Sequence, residues 1–341
     1  MKAVANAPGV LPQLLGQFVL LCAFTITPFA FAAKPYQHFL VGNAADVTLP
    51  PPRTPSLVLM GGSTDVDAAF QWMIQKAGGG NFVVIRAEGT DAYNPYIFAM
   101  GRVTSVETLI IPSRKAANDP FVVGRIRGAE ALFIAGGDQS DYVNYWKGTP
   151  VDAAIAELSA KNTPIGGTSA GLAIMGQYAF SALNGPISSA EALANPFHDA
   201  LTLSEHFLSQ PYMSNVITDA RLGVSNRMGR LVSFLARIVG DRWSNSARGI
   251  GIDEETALLV DNGKATKVGN GSVYFLRTIS FPQVLEPEKP LTYRNIGVQR
   301  LSGTGSFDLI NWFGYDGTTV NYAISAINGV LSSTQVGNAI Y

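Results

Sequence analysis

The sequence predicts an α/β protein built as a three-layer sandwich, with a mostly parallel sheet between two helical layers and a β-rich C-terminal extension. Three observations predict it. Short, continuously apolar runs alternate with helix-spaced segments. The 341 residues are 47% hydrophobic and only 14% charged, enough for a sizeable core. From about residue 265 onward Gly, Thr, Asn and aromatic residues rise, and alternation replaces helical spacing.

Each element follows in order. Lys2 is the only charge before Lys34. Between them an apolar run from Leu14 to Phe24 leads to Pro28 and then Ala30-Phe31-Ala32-Ala33. That is the pattern of a secretory signal peptide over residues 1–32, cut after Ala32, and it places the mature protein in the periplasm or outside the cell. No stable membrane insertion is expected after cleavage. Cys22 is the only cysteine and leaves with the leader, so disulfides, a cysteine nucleophile and thiolate metal sites are excluded from the mature chain. Residues 33–54 are Pro-rich and read as an extended lead-in. The runs Ser56-Leu57-Val58-Leu59-Met60, Asn81-Phe82-Val83-Val84-Ile85-Arg86, Val106 to Ile111 and Ala131-Leu132-Phe133-Ile134-Ala135 read as strands buried on both faces, with helices between them. They belong to an α/β domain over residues 55–264. Residues 265–341 form the β-rich extension. The net charge of -1 gives no basic face for nucleic acid.

Ligand sites in such sheets lie beyond the C-terminal ends of the strands. Two strand ends carry suitable chemistry. In Pro164-Ile165-Gly166-Gly167-Thr168-Ser169-Ala170-Gly171 a short strand runs through a Gly-rich turn into a helix, with Ser169 at the tip. Small residues at 167 and 171 let the backbone turn sharply and lift the hydroxyl above the sheet, as in a nucleophile elbow. The N–H groups behind the serine, starting at Ala170, suit a developing oxyanion. In Ile134-Ala135-Gly136-Gly137-Asp138-Gln139 the paired glycines Gly136 and Gly137 let a ligand approach the backbone. The plain alternative is a βα turn with Asp138 as helix N-cap.

These two motifs occur in order with Ser188-Ser189-Ala190-Glu191-Ala192-Leu193, with the stretch Asp219 to Leu231, and with Gly249-Ile250-Gly251-Ile252-Asp253-Glu254. Over about residues 56–262 the chain resembles the cyanophycinase and aspartyl-dipeptidase family of serine peptidases. The resemblance implies a class I glutamine amidotransferase-like (flavodoxin-like) sheet, no metal and no organic cofactor. It implies hydrolysis of bonds next to aspartate, including β-linked Asp-Arg units of the polymer cyanophycin, so a peptide or Asp-rich polymer is the expected partner. It assigns Ser169 as nucleophile, Gln139 as a pocket glutamine, and Arg227 and Arg230 as basic pocket residues. An arginine fork grips a carboxylate with two hydrogen bonds. Glu191 is the first candidate for the acid. Asp219 is counted with the substrate pocket and, with Glu254, is a further candidate acid.

The sequence departs from the family where a base is needed. The family histidine lies in an Asp-x-His-Phe stretch, and here the stretch reads Asp219-Ala220-Arg221-Leu222, so Arg221 holds that position. Ser225 stands four residues on, where the family has another arginine. An arginine stays protonated and accepts no proton. The remaining histidines, His38, His198 and His206, read as surface or partly buried groups. Three functions are therefore open: a serine peptidase with a rearranged base, a pseudoenzyme that binds Asp-containing peptides, and an exported glycan- or polymer-binding module using Trp312, Phe313, Tyr315 and Tyr322 of the tail. The oligomeric state is open, a homodimer among the options.

Overall fold

The computed structural model describes residues 33–45, 54–208, 210–315 and 319–341, with a few positions among the first nine. The expected signal peptide apart from those few positions, Cys22, and residues 46–53 of the expected lead-in lie outside the described residues. Met1–Ala33 and Lys34–Tyr341 are separate units, and the fold below is that of the second.

Two mixed sheets carry it. The first runs, neighbour by neighbour, through Gln37–Gly42, Ser105–Ile110, Asn81–Arg86, Ala131–Ile134, Ile165–Thr168, Ser56–Met60, Thr256–Asp261, Lys264–Gly269, Ser306–Asp308 and Phe313–Gly314. The five strands from Ser105–Ile110 to Ser56–Met60 pair in parallel. They are the continuously apolar runs that the sequence marks, and they are buried because helices cover both faces. Side chains alternate across the sheet as strand geometry demands. Leu57, Leu59, Val83, Ile85, Leu132 and Ile134 pack toward Trp146, Val151 and Ile155. Val58, Met60, Val84 and Phe133 pack toward Phe70, Met73 and Ile74 of the helix Asp67–Ala77.

The second sheet runs Val330–Ser333, Thr319–Ile327, Tyr293–Leu301, Val273–Arg277, Arg248–Ile252, Val216–Ala220, Tyr178–Phe180 and Leu203–Glu205. Val216, Ala220, Ile250, Ile252, Val273 and Phe275 share one core cluster with the first sheet. Its other face buries the helix Met228–Gly240 through Leu231, Val232, Phe234 and Leu235. The β-rich tail divides between the sheets. Lys264–Gly269 and Ser306–Asp308 extend the first by antiparallel pairing. Val273–Arg277, Tyr293–Leu301 and Thr319–Ile327 extend the second. Gln37–Gly42, inside the expected lead-in, is a strand antiparallel to Ser105–Ile110.

Candidate active site

Ile165–Thr168 lies at the centre of the parallel array, between Ala131–Ile134 and Ser56–Met60. The helix Ala170–Ala173 begins one residue after the strand ends, so Ser169 alone makes the turn. It does so at φ 52°, ψ −113°, outside the regions open to most L-residues. This is the strained corner of a nucleophile elbow. Its N–H donates to Met60 O at 3.1 Å, which ties the corner to the neighbouring strand. A Cβ on Gly171 would lie 2.2 Å from Ile134 O, so glycine is required for the helix to start this close to the sheet. Ser169 is flanked by two further glycines: a Cβ on Gly62 would lie 3.1 Å from Ser169 Cβ, and one on Gly136 3.4 Å from it.

The serine opens into a cleft of about 460 Å³. Gly137, Asp138 and Gln139 border it from the end of Ala131–Ile134, and Ala170 from the elbow. Ala170 is first in its helix, so its N–H has no intrahelical partner and is available for an oxyanion. Gln139 opens the helix Gln139–Trp146, which Asp138 caps by accepting from Ser140 N–H at 2.8 Å. Asp138 is thus both the helix cap and part of the rim.

The opposite wall comes from the second sheet. Val216–Ala220 and Arg248–Ile252 are parallel with Ala220 opposite Ile252. The residues just past both strand ends therefore meet, and Arg221 Nε donates to Glu254 Oε1. Asp253, between them in register, accepts from Gly223 N–H at 2.8 Å and Ser272 N–H at 3.0 Å, which fixes both turns. The helix Met228–Gly240 starts beside the end of Val216–Ala220. Arg230, in its first turn, reaches Asp219 with two bonds, Nε to Oδ2 at 2.8 Å and Nη2 to Oδ1 at 2.5 Å. Both partners are almost fully buried, at 5% and 2% exposure. The guanidinium lies over Phe180 at 5.3 Å. Arg227, just before the helix, donates to Ala220 O at 3.0 Å. Burial, followed by the adjacent Arg230 cation, holds its pKa below the ordinary arginine value; it keeps its charge.

The structure therefore gathers Ser169, Gly137, Gln139, Ala170, Asp219, Arg221, Arg227 and Arg230 around one cleft, with Gly136 behind the serine. Asp219 and Arg230 both line the cleft and are bonded to each other, so two of the donors of Arg230 are already given to Asp219. Glu191 is not among the lining residues. Its carboxylate closes a capping box, accepting from Ser188 N–H at 2.9 Å and Ser188 Oγ–H at 2.7 Å. Among the described residues no histidine lines the cleft. His38 bonds Glu107 at 2.6 Å, His198 Nδ1 accepts from Ala200 N–H at 3.1 Å, and His206 is exposed beside Glu205. Of the four tail aromatics, Trp312 and Tyr322 are buried, whereas Phe313 and Tyr315 are exposed and meet edge to face with centroids 4.6 Å apart.

Sequence reasoning missed Gly62 and Glu88. Gly62 follows the strand Ser56–Met60, and Glu88, an exposed cleft residue, follows Asn81–Arg86. Both stand beyond strand C-termini, the one signal that marks them.

Residues 86–268 match peptidase family S51, more than half of the chain. The chain belongs to this family. Within S51 it is 28% identical over 219 residues to a cyanophycinase of Nostoc sp., covering 62% of this chain and 68% of that one. A cyanophycinase of Trichormus variabilis matches at the same identity and the same coverage. A solved peptidase from an acI-B1 Actinobacterium superposes with TM-score 0.46 at 17% identity, over 67% of this chain and 96% of the other.

Proposed function

We propose that this S51 protein is an exported serine-type peptidase that hydrolyses bonds next to aspartate in short peptides or a cyanophycin-like polymer, with Ser169 as nucleophile. The observation that carries the reading is the elbow itself: Ser169 at φ 52°, ψ −113° at the mouth of a cleft whose far wall holds Arg227. Arg227 suits the aspartate carboxylate. Ser169 Oγ attacks the carbonyl carbon, and the oxyanion forms near the N–H groups of Ala170 and Gly137. The C–N bond then breaks, the amine leaves with a proton, and water hydrolyses the ester.

The Arg221–Glu254 pair favours a second reading, binding of Asp-containing peptides with little turnover. With no imidazole at the cleft, the serine proton goes to a weaker acceptor such as water. Loss of a triad member elsewhere costs roughly 10⁴–10⁶ in rate.

Hydrolysis of β-Asp-Arg by the purified chain, Ser169→Ala and Arg221→His separates the two. The first reading expects slow cleavage that Ser169→Ala abolishes and Arg221→His raises by at least about tenfold. Binding without cleavage by the native chain establishes the second. Silence from all three, with no binding, removes both.

A further inference from the structure

Among the described residues three guanidinium groups line the cleft, and they are not equivalent. Arg230 gives two donors to the buried carboxylate of Asp219, and its charge is matched there. Arg227 gives one donor to Ala220 O, and its nearest carboxylate oxygen, Asp219 Oδ1 at 4.0 Å, already accepts from Arg230. Arg221 is held to Glu254 through Nε, and its side chain is 45% exposed where that of Glu254 is 18% exposed. A guanidinium has five N–H donors, so an arginine tethered by Nε keeps its two Nη groups for another partner. The other rim of the cleft holds the carboxylates Glu88 and Asp138. The cleft is thus electrically divided: Arg227 has no carboxylate to itself, the charge of Arg221 is matched by Glu254 but its two Nη groups are not used by that contact, and Ser169 lies between the two rims.

We propose that Arg221 and Arg227 form a paired anion site that takes a ligand with two free carboxylates a few bonds apart, one on each guanidinium. The arginine at 221 is then a specificity residue rather than only a lost base. It selects doubly anionic short peptides over singly anionic ones. Glu254 orients Arg221 and competes for it, so a ligand carboxylate shares or displaces that contact. The proposal rests on the reading of this cleft as a peptide site, and it is tested by binding alone, so its failure is distinct from failure of hydrolysis.

The experiment is calorimetric titration of the full chain carrying Ser169→Ala, which prevents turnover, with N-acetyl-L-aspartate and N-acetyl-L-asparagine. These differ by one carboxylate. The expected result is about tenfold or greater preference for the aspartate, in line with a charge-assisted bidentate contact. Adding Arg221→Gln should reduce that preference to near unity, and Arg227→Gln should weaken both ligands. Adding Glu254→Gln leaves Arg221 in place without its competitor and should tighten the aspartate several-fold. Equal affinity for the two ligands, or a preference that survives Arg221→Gln in a chain with an unchanged thermal midpoint, overturns the proposal. So does a Glu254→Gln chain that folds and binds the aspartate no more tightly.

Discussion

Asp219 decides how the basic wall of the cleft is organised. Its carboxylate is nearly inaccessible and meets Arg230 through two bonds. A buried ion pair adds little net stability, yet removing one partner leaves an uncompensated charge. Asp219→Asn should therefore destabilise the fold by roughly 3–5 kcal/mol, and Asp219→Asn with Arg230→Met should recover most of that loss. Urea unfolding of the two single variants and the double variant checks it; additive losses would show that the pair is not coupled. At this scale the sequence reveals unevenly. Ser169 is legible because the elbow is local: a strand, a glycine-bracketed serine and a helix within a few residues. Arg227 and Arg230 look alike, three residues apart. Which of them meets a carboxylate eleven positions away depends on how the helix Met228–Gly240 lies against the strand Val216–Ala220, and no spacing in the sequence states that.

Asp65 lies in the link between the strand Ser56–Met60 and the helix Asp67–Ala77, close to the residue before the nucleophile. It accepts from Tyr93 Oη at 2.7 Å. Its other oxygen and Thr168 Oγ1 are buried without a hydrogen bond of good geometry. Burial pushes the Asp65 carboxyl above its ordinary value, against the lowering effect of Tyr93 and Thr168. A carboxyl with a raised folded-state pKa favours folding while it is protonated. That contribution is full below the unfolded value of 3.8 and is lost as pH rises through the folded-state value. Toward neutral pH the buried carboxyl therefore contributes less to folding than it does in acid. Asp65→Asn keeps an acceptor for Tyr93 and adds a donor that suits Thr168, so it should raise the thermal midpoint at pH 7 and bring little change near pH 3. Melting curves of both chains across pH 3–8 test this; a lower midpoint at pH 7 would show that the charged carboxylate is needed. The strands of the parallel array are legible at this scale because both faces are buried and the runs are continuously apolar. The polar link is not, since a single Asp between glycines and a helix reads as an ordinary turn.

Across the whole molecule the tail is where sequence pattern says least. Alternation marks residues 265–341 as strands but does not say which sheet each joins, because pairing is non-local. Ser306–Asp308 returns to pair with Lys264–Gly269 in the first sheet, while Val273–Arg277 and Tyr293–Leu301, between them in the chain, pair in the second. Tail residues add to the core that the two sheets share. Phe275, from the second sheet, stacks on Phe307, from the first, with centroids 3.6 Å apart. Trp312 packs edge-on against both, and Arg248 covers its ring at 4.7 Å. This cluster is continuous with Leu172 and Met175, just behind the nucleophile, in one core. The tail and Ser169 should therefore unfold together. Trp312→Ala removes a side chain that is 3% exposed and should cost roughly 3–5 kcal/mol, the range for a large aromatic in a packed core. The consequence for function is that the variant should lose reactivity of Ser169 toward a phosphonate probe at the same temperature at which its helical circular dichroism falls, both several degrees below the native chain. If instead calorimetry resolves two transitions, and the substitution moves only one while Ser169 keeps its native labelling profile, the tail is an appendage and the shared core between the sheets does not support the site.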